Sequence, residues 1–163
     1  MTNGVPYARH RWNRISGGLH IGGHYYDPQQ QLRALPVQVN YQFQFVLSLY
    51  ADQKFAFGPP SSVRHLRFLI PDGILTAAEW TAVKATALQV ANVLRTGRQV
   101  LVRCEAGYNR SGLVAGLVLL SQGRTAQQAI DLIRRKRSPH ALYNPHFIEL
   151  LHQEERNSHE RSR

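Results

Sequence analysis

Read for its apolar positions, the chain falls into short runs with a period of two, or with no polar breaks, and longer stretches with a helical period. Residues 1 to about 14 mix Tyr, Arg, His and Trp without periodicity and read as an arm or a first short strand. Ile15, Leu19 and Ile21, set among glycine pairs, predict a short strand over residues 18–22 that ends in a turn. Asp27-Pro28 is a helix-start signal, with Asp as N-cap and Pro at the first helical position, and predicts a two-turn helix closed by Pro36. FQFVLSLY, residues 43–50, reads as a buried strand. A loop, ADQKFAFGPPSS, separates it from a second strand over residues 63–70, which stops at Pro71-Asp72-Gly73 and so places a carboxylate on a tight turn.

The second half is more helical. Thr76 and Glu79 have the spacing of a capping box, and Trp80, Val83, Ala87, Ala91 and Leu94 recur at helical intervals up to a stop at Gly97. Residues 99–103 form a strand in which Val100 and Val102 face one way and Leu101 the other. Residues 111–122 are apolar all round, as expected of a central buried helix ended by Gly123. Thr125 caps another helix, with Ala126, Ala129, Ile130 and Ile133 as its inner stripe and Arg134 to Arg137 at its C-terminal end, where cations suit the helix dipole. Asn144-Pro145 starts a last helix carrying Phe147, Ile148, Leu150 and Leu151, and from about Gln153 the polar sequence predicts fraying.

Strands alternating with helices in this way imply an α/β layer structure: a central, mostly parallel sheet of four or five strands flanked by helices in a three-layer domain. At 163 residues the chain is read as one domain, with its core at about residues 15–151 and frayed ends at 1–14 and 153–163. The longest apolar run, residues 113–120, is too short to span a bilayer, and the first fourteen residues offer no apolar stretch for a signal peptide. Cys104 is the only cysteine, so no intramolecular disulfide can form. We therefore expect a cytoplasmic monomer. The net charge of +10 favours an anionic partner without separating a phosphoprotein from RNA or an anionic lipid surface. The four glycines at 17, 18, 22 and 23 lack the spacing of a dinucleotide-binding loop, and the eight histidines lack that of a metal site, so neither a cofactor nor a metal is expected.

The chemistry concentrates in residues 99–112, QVLVRCEAGYNRSG, where a strand ends in Cys104 and a glycine-bearing loop opens the buried helix. A phosphate monoester is held by inward-pointing amides, a helix N-terminus and a planar guanidinium that can grip two oxygens. The loop Glu105, Ala106, Gly107, Tyr108, Asn109 and Arg110 can supply all three, with Gly107 permitting the tight curve and Arg110 the bidentate grip. The same positive field favours the thiolate of Cys104. Glu105 is compatible with a bound anion only if its side chain points outward.

VRCEAGYNRSG resembles the cysteine-dependent protein tyrosine phosphatase superfamily, and the chain over about residues 15–151 is similar to its small dual-specificity branch. The resemblance implies that Cys104 attacks phosphorus to give a phosphocysteine, that Arg110 holds the equatorial oxygens, and that Ser111 steadies the departing thiolate. It also implies an upstream aspartate as general acid and then general base; Asp72 fits in order, turn context and separation. Asp27 reads instead as a cap, Asp52 lies early in a loop, and Glu79 completes a capping box. One position departs from the family pattern: Arg103 stands where a histidine usually precedes the cysteine, which retains a cation but not its acceptor. The implied substrate is phosphotyrosine in proteins, with phosphoserine and phosphothreonine as further substrates. Asn109 before Arg110 resembles RNA 5′-phosphatases, and the basic charge suits RNA or phosphoinositide. A silent phosphate-binding module is the alternative of another class. The arsenate-reductase-like phosphatases carry their loop and acid in the reverse order.

Overall fold

The computed structural model describes residues 4–51 and 58–163. Five strands form one sheet in the order β1-β2-β7-β5-β6: β1 Trp12–Ser16, β2 Leu19–Gly23, β5 Phe45–Ser48, β6 Arg64–Arg67 and β7 Val100–Cys104. β1 is antiparallel to β2, and every other pairing is parallel. A separate hairpin pairs β3, Tyr25–Tyr26, with β4, Leu35–Pro36. β2, β5 and β7 are buried along their whole lengths, as a parallel sheet covered on both faces requires.

Four helices flank the sheet: α1 Ala77–Arg95, α2 Arg110–Ser121, α3 Ala126–Lys136 and α4 Pro145–Arg161. Buried side chains of all four meet Leu19, Ile21, Phe45, Leu47, Val100 and Val102 on one face. The opposite face is covered by a smaller cluster of Val39, Phe43, Val46, Val63 and Leu101, with Trp12 packed against it. The alternation expected within β7 is therefore present, with Leu101 facing away from its two neighbours. Capping boxes close the N-termini of both α1, through Thr76 and Glu79, and α3, through Thr125 and Gln128.

Three expectations need correction. No helix follows Asp27-Pro28. Asp27 accepts from the amides of Gln31 (3.3 Å) and Arg33 (3.2 Å), and Gln30 and Leu32 take positive φ values of 55° and 60°. The segment has too few apolar residues to hold a helix against the core, and Leu32 is exposed. Among the described residues, the N-terminal arm is tied down rather than frayed: Tyr7 and Ala8 are buried, and Pro6 accepts from the Tyr108 hydroxyl at 2.7 Å.

Nor does α4 fray at Gln153, since it continues to Arg161. Arg156–Glu149 and Arg161–Glu154 contacts of 2.9 and 2.8 Å lie along it, Lys84 on α1 is 3.5 Å from Glu154, and Glu155 accepts from the first amide of α3, on Ala126, at 3.0 Å. Polar sequence here marks helix-to-helix fastening rather than solvation. The strand expected over residues 63–70 keeps regular pairing only at Arg64–Arg67, and residues 52–57 of the intervening loop lie outside the described residues.

Candidate active site

The parallel strands deliver their carboxyl ends to one edge, where β2 and β7 place Gly23 opposite Cys104, and β5 and β7 place Ser48 opposite Arg103. Sites in open α/β sheets form at such an edge. From Cys104 the chain curves through residues 105–109 into α2, with Gly107 at φ 74°. A Cβ on Gly107 would lie 2.5 Å from the Gly22 carbonyl and 2.8 Å from the Arg137 guanidinium, so both conformation and space demand glycine.

Every carbonyl of this curve is held from outside it. Cys104 and Glu105 accept from the His24 amide, both at 2.9 Å, and Glu105 also from that of Tyr25 at 3.2 Å. Ala106 and Gly107 accept from the Arg137 guanidinium at 2.8 and 3.3 Å, Tyr108 from the Leu142 amide at 3.1 Å, and Asn109 from that of Leu113 at 2.8 Å. Because each peptide is planar, carbonyls turned outward turn the intervening N–H groups inward. Among the described residues, none of the amides of residues 105–109 has another acceptor. Asn109 is the N-cap of α2 but makes no side-chain cap bond, which leaves the first helical amides open as well. The result is a ring of donors at a helix N-terminus, suited to a phosphate dianion.

The sulfur sits at this ring. Cys104 is buried, and its Sγ lies 3.4 Å from the Ser111 hydroxyl. Arg110 is gathered in beside it, with Nη1 3.5 Å from the Ile70 carbonyl and its guanidinium 5.1 Å from the centre of the Tyr50 ring. Glu105 is shared between Tyr7 and Arg110: its Oε1 accepts from the Tyr7 hydroxyl at 2.8 Å, and its Oε2 forms an ion pair with Arg110 Nη2 at 3.7 Å. Burial, followed by the Glu105 carboxylate, holds the Tyr7 phenol well above its ordinary value, so Tyr7 stays a donor. Ala106 and Tyr108 are buried supports of the loop.

Asp72 joins the loop through Asn109, whose Nδ2 donates to Oδ2 at 3.0 Å. The residue before the cysteine behaves differently from the usual histidine. Arg103 alternates to the far face of β7, where its Nε donates to Ser48 Oγ at 2.9 Å, and Ser48 Oγ lies 2.8 Å from His65 Nε2. Burial pushes the Arg103 guanidinium down to about 10, with Arg67 adding to the effect; burial and then the charge of Arg103 push His65 down to about 4. His24 meets the loop instead, its Nδ1 3.0 Å from the Cys104 carbonyl.

Three residues that hold the loop were not among the sequence candidates: His24, Tyr7 and Arg137. Arg137 had appeared only as one of four cations at a helix end. It is buried, and it also reaches the His10 carbonyl (2.7 Å) and Asn13 (2.9 Å). Burial pushes its guanidinium down to about 10 against the opposing pull of Tyr108 and Cys104. A buried arginine following the exposed Arg135 and Lys136 at the end of a helix gives no signal in the sequence.

Sheet, cysteine loop and following helix define a phosphatase of the cysteine-dependent tyrosine phosphatase superfamily. The family of the dual specificity phosphatase catalytic domain matches residues 25–157, and the chain belongs to it. Among solved structures, human DUSP28 superposes with a TM-score of 0.73 at 19% identity, covering 95% of this chain and 99% of its own. A mouse putative dual specificity phosphatase complexed with zinc tungstate gives 0.71 at 20% identity, covering 99% and 95%. PTPMT1 in complex with PI(5)P gives 0.65 at 19% identity, covering 94% and 100%. At these identities the structural likeness is one of fold. No curated sequence matches the chain. Among the described residues, no helix is long and apolar enough to cross a membrane.

Proposed function

We propose that the chain hydrolyses phosphotyrosine in proteins, with phosphoserine and phosphothreonine as further substrates, by way of a phosphocysteine on Cys104. The observation that carries this reading is the loop whose carbonyls from Cys104 to Asn109 all point away from its centre, with the thiol at one end and a helix at the other. The inward amides of residues 105–110 take the nonbridging phosphate oxygens, and Arg110 grips two of them. The Cys104 thiolate attacks phosphorus, the ester P–O bond breaks, and Asp72 gives its proton to the leaving oxygen. Water then attacks phosphorus, Asp72 takes the water's proton, and the S–P bond breaks to release phosphate. Ser111, 3.4 Å from Sγ, donates to the thiolate as it departs.

This chemistry involves no metal or cofactor. Since a lone thiolate nucleophile survives only where reductants keep it so, we place the protein in the cytoplasm, as a monomer. Asn109, which prompted comparison with RNA 5′-phosphatases, has both ends of its amide engaged with Asp72 and with the Asn144 backbone, so it is accounted for without RNA. The neighbouring fold of PTPMT1, seen with PI(5)P, makes phosphoinositide the second reading.

The test is hydrolysis of para-nitrophenyl phosphate without added metal, inhibited by vanadate and abolished in Cys104→Ser. Full turnover by that variant would overturn the thiolate mechanism. Comparison of kcat/KM on phosphotyrosine peptides, phosphoinositides and 5′-triphosphorylated RNA decides the substrate, and a higher value on lipid or RNA than on peptide rejects the protein reading.

A further inference from the structure

The turn that carries Asp72 has little to hold it through apolar burial. Ile70 and Leu75 are buried at its two ends, but between them Ile74 is 81% exposed and the backbone lies open. What fixes it is a set of polar contacts, most of them from the first turn of α4. Asn144 Nδ2 donates to Asp72 Oδ1 at 3.1 Å and lies 3.3 Å from the Gly73 carbonyl. The Asn144 backbone amide donates to Asn109 Oδ1 at 3.0 Å, so the two residues whose side chains grip Asp72 are tied to each other. His146 Nε2 accepts from the Leu75 amide at 3.2 Å, beyond the far side of the turn.

Asn144 is also the N-cap of α4, its Oδ1 accepting from the amides of His146 (3.0 Å) and Phe147 (3.4 Å). Capping needs only that oxygen, and serine, threonine or aspartate would supply it as well. The amide nitrogen has no part in the cap and is directed at the carboxyl. Asparagine meets the two demands with separate atoms, Oδ1 for its own helix and Nδ2 for the Asp72 turn, whereas a hydroxyl would have to meet both with one oxygen on a shorter side chain.

We propose that Asn144, assisted by His146, is a positioning residue for the reaction: a clasp from α4 that keeps the Asp72 carboxyl turned toward the leaving oxygen. The proposal rests on Asp72 being the general acid. Removing the clasp leaves nucleophile and phosphate cradle intact but lets the turn wander, and displacement of a reacting group by about 1 Å can cost on the order of a hundredfold in rate.

The experiment measures kcat/KM, which reports phosphoryl transfer to Cys104 and not the later hydrolysis in which Asp72 serves as base, for Asp72→Ala, Asn144→Ser, His146→Ala and the unaltered chain on a phosphotyrosine peptide and on 2,4-dinitrophenyl phosphate, whose phenolate leaves without needing a proton. Asn144→Ser retains the cap oxygen, and His146→Ala leaves the cap untouched, so folding is preserved in at least one of them; melting temperatures verify it. The expected result is a loss of about ten- to a hundredfold on the peptide for Asn144→Ser, a smaller one for His146→Ala, and little change for either on the dinitrophenyl ester. Equal losses on both substrates, or no loss, with Asp72→Ala still selective for the peptide, would overturn the clasp alone. If Asp72→Ala itself shows no such selectivity, the assignment of the acid fails and the clasp with it.

Discussion

The guanidinium of Arg137 lies 2.8 Å from the carbonyl oxygen of Ala106, across 31 residues of sequence, and fixes the back of the phosphate loop from the end of α3. Replacing Arg137 by Met strands the carbonyls of Ala106 and Gly107 in a buried setting. We expect a loss of about 3 kcal/mol of stability, or a fall in melting temperature of about 6–12 °C. Differential scanning calorimetry measures it. Vanadate should bind more weakly to the folded variant, because carbonyls released from outside allow the inward amides to turn.

Arg103 predicts a contrast. Its side chain is on the face of β7 away from the sulfur and bonded to Ser48, whereas Arg137 holds the carbonyls of Ala106 and Gly107 in the loop that carries Cys104. Arg103→His should therefore leave the inhibition constant for vanadate unmoved, while Arg137→Met raises it. Weaker inhibition in both variants would mean that Arg103 acts on the loop after all.

Tyr7 keeps one oxygen of Glu105 away from the phosphate ring while the other stays 3.7 Å from Arg110. In Tyr7→Phe the carboxylate is free to close on Arg110 and compete with substrate. With about 1 kcal/mol for the lost hydrogen bond, KM for para-nitrophenyl phosphate should rise about fivefold with kcat nearly unchanged. Steady-state kinetics at constant ionic strength reads this directly.

His65 makes the fold acid-sensitive. Burial and then Arg103 hold it at about 4 in the native state, below its ordinary 6.5. Between those values the unfolded chain binds a proton that the native chain does not, so stability is complete above about pH 6.5 and declines as the pH falls toward 4. Melting temperatures measured from pH 7 to pH 4 should drop less steeply in His65→Gln than in the unaltered chain.

The features legible in the sequence are those set by neighbours along the chain. The loop from Cys104 to Ser111, the capping box at Thr76, the cap at Thr125, the alternation in β7 and the apolar α2 all follow from local spacing, and each is present. Asp72 could be placed on a turn by the same means, although the strand before it ends at Arg67, short of the expected residue 70. What could not be read was the far partner of a side chain. Asn144 reads as a cap, and only the fold shows its amide on Asp72; Arg137 reads as a dipole partner, and only the fold buries it under Gly107. Asp27 misled because its capping chemistry is real but serves a turn, the segment after it having no apolar face to pack.

The placement of these far partners also orders the events of synthesis. The ring around Cys104 needs residues up to Arg137 and Leu142, but both Asn144 contacts to the Asp72 turn come from the start of α4, which leaves the ribosome after them. A growing chain folded as far as Leu142 would thus hold the complete cradle with the Asp72 carboxyl tied to Asn109 alone. On the clasp proposal, such a chain binds phosphorylated neighbours before it turns them over at full rate, and docking of α4 adds the second hold.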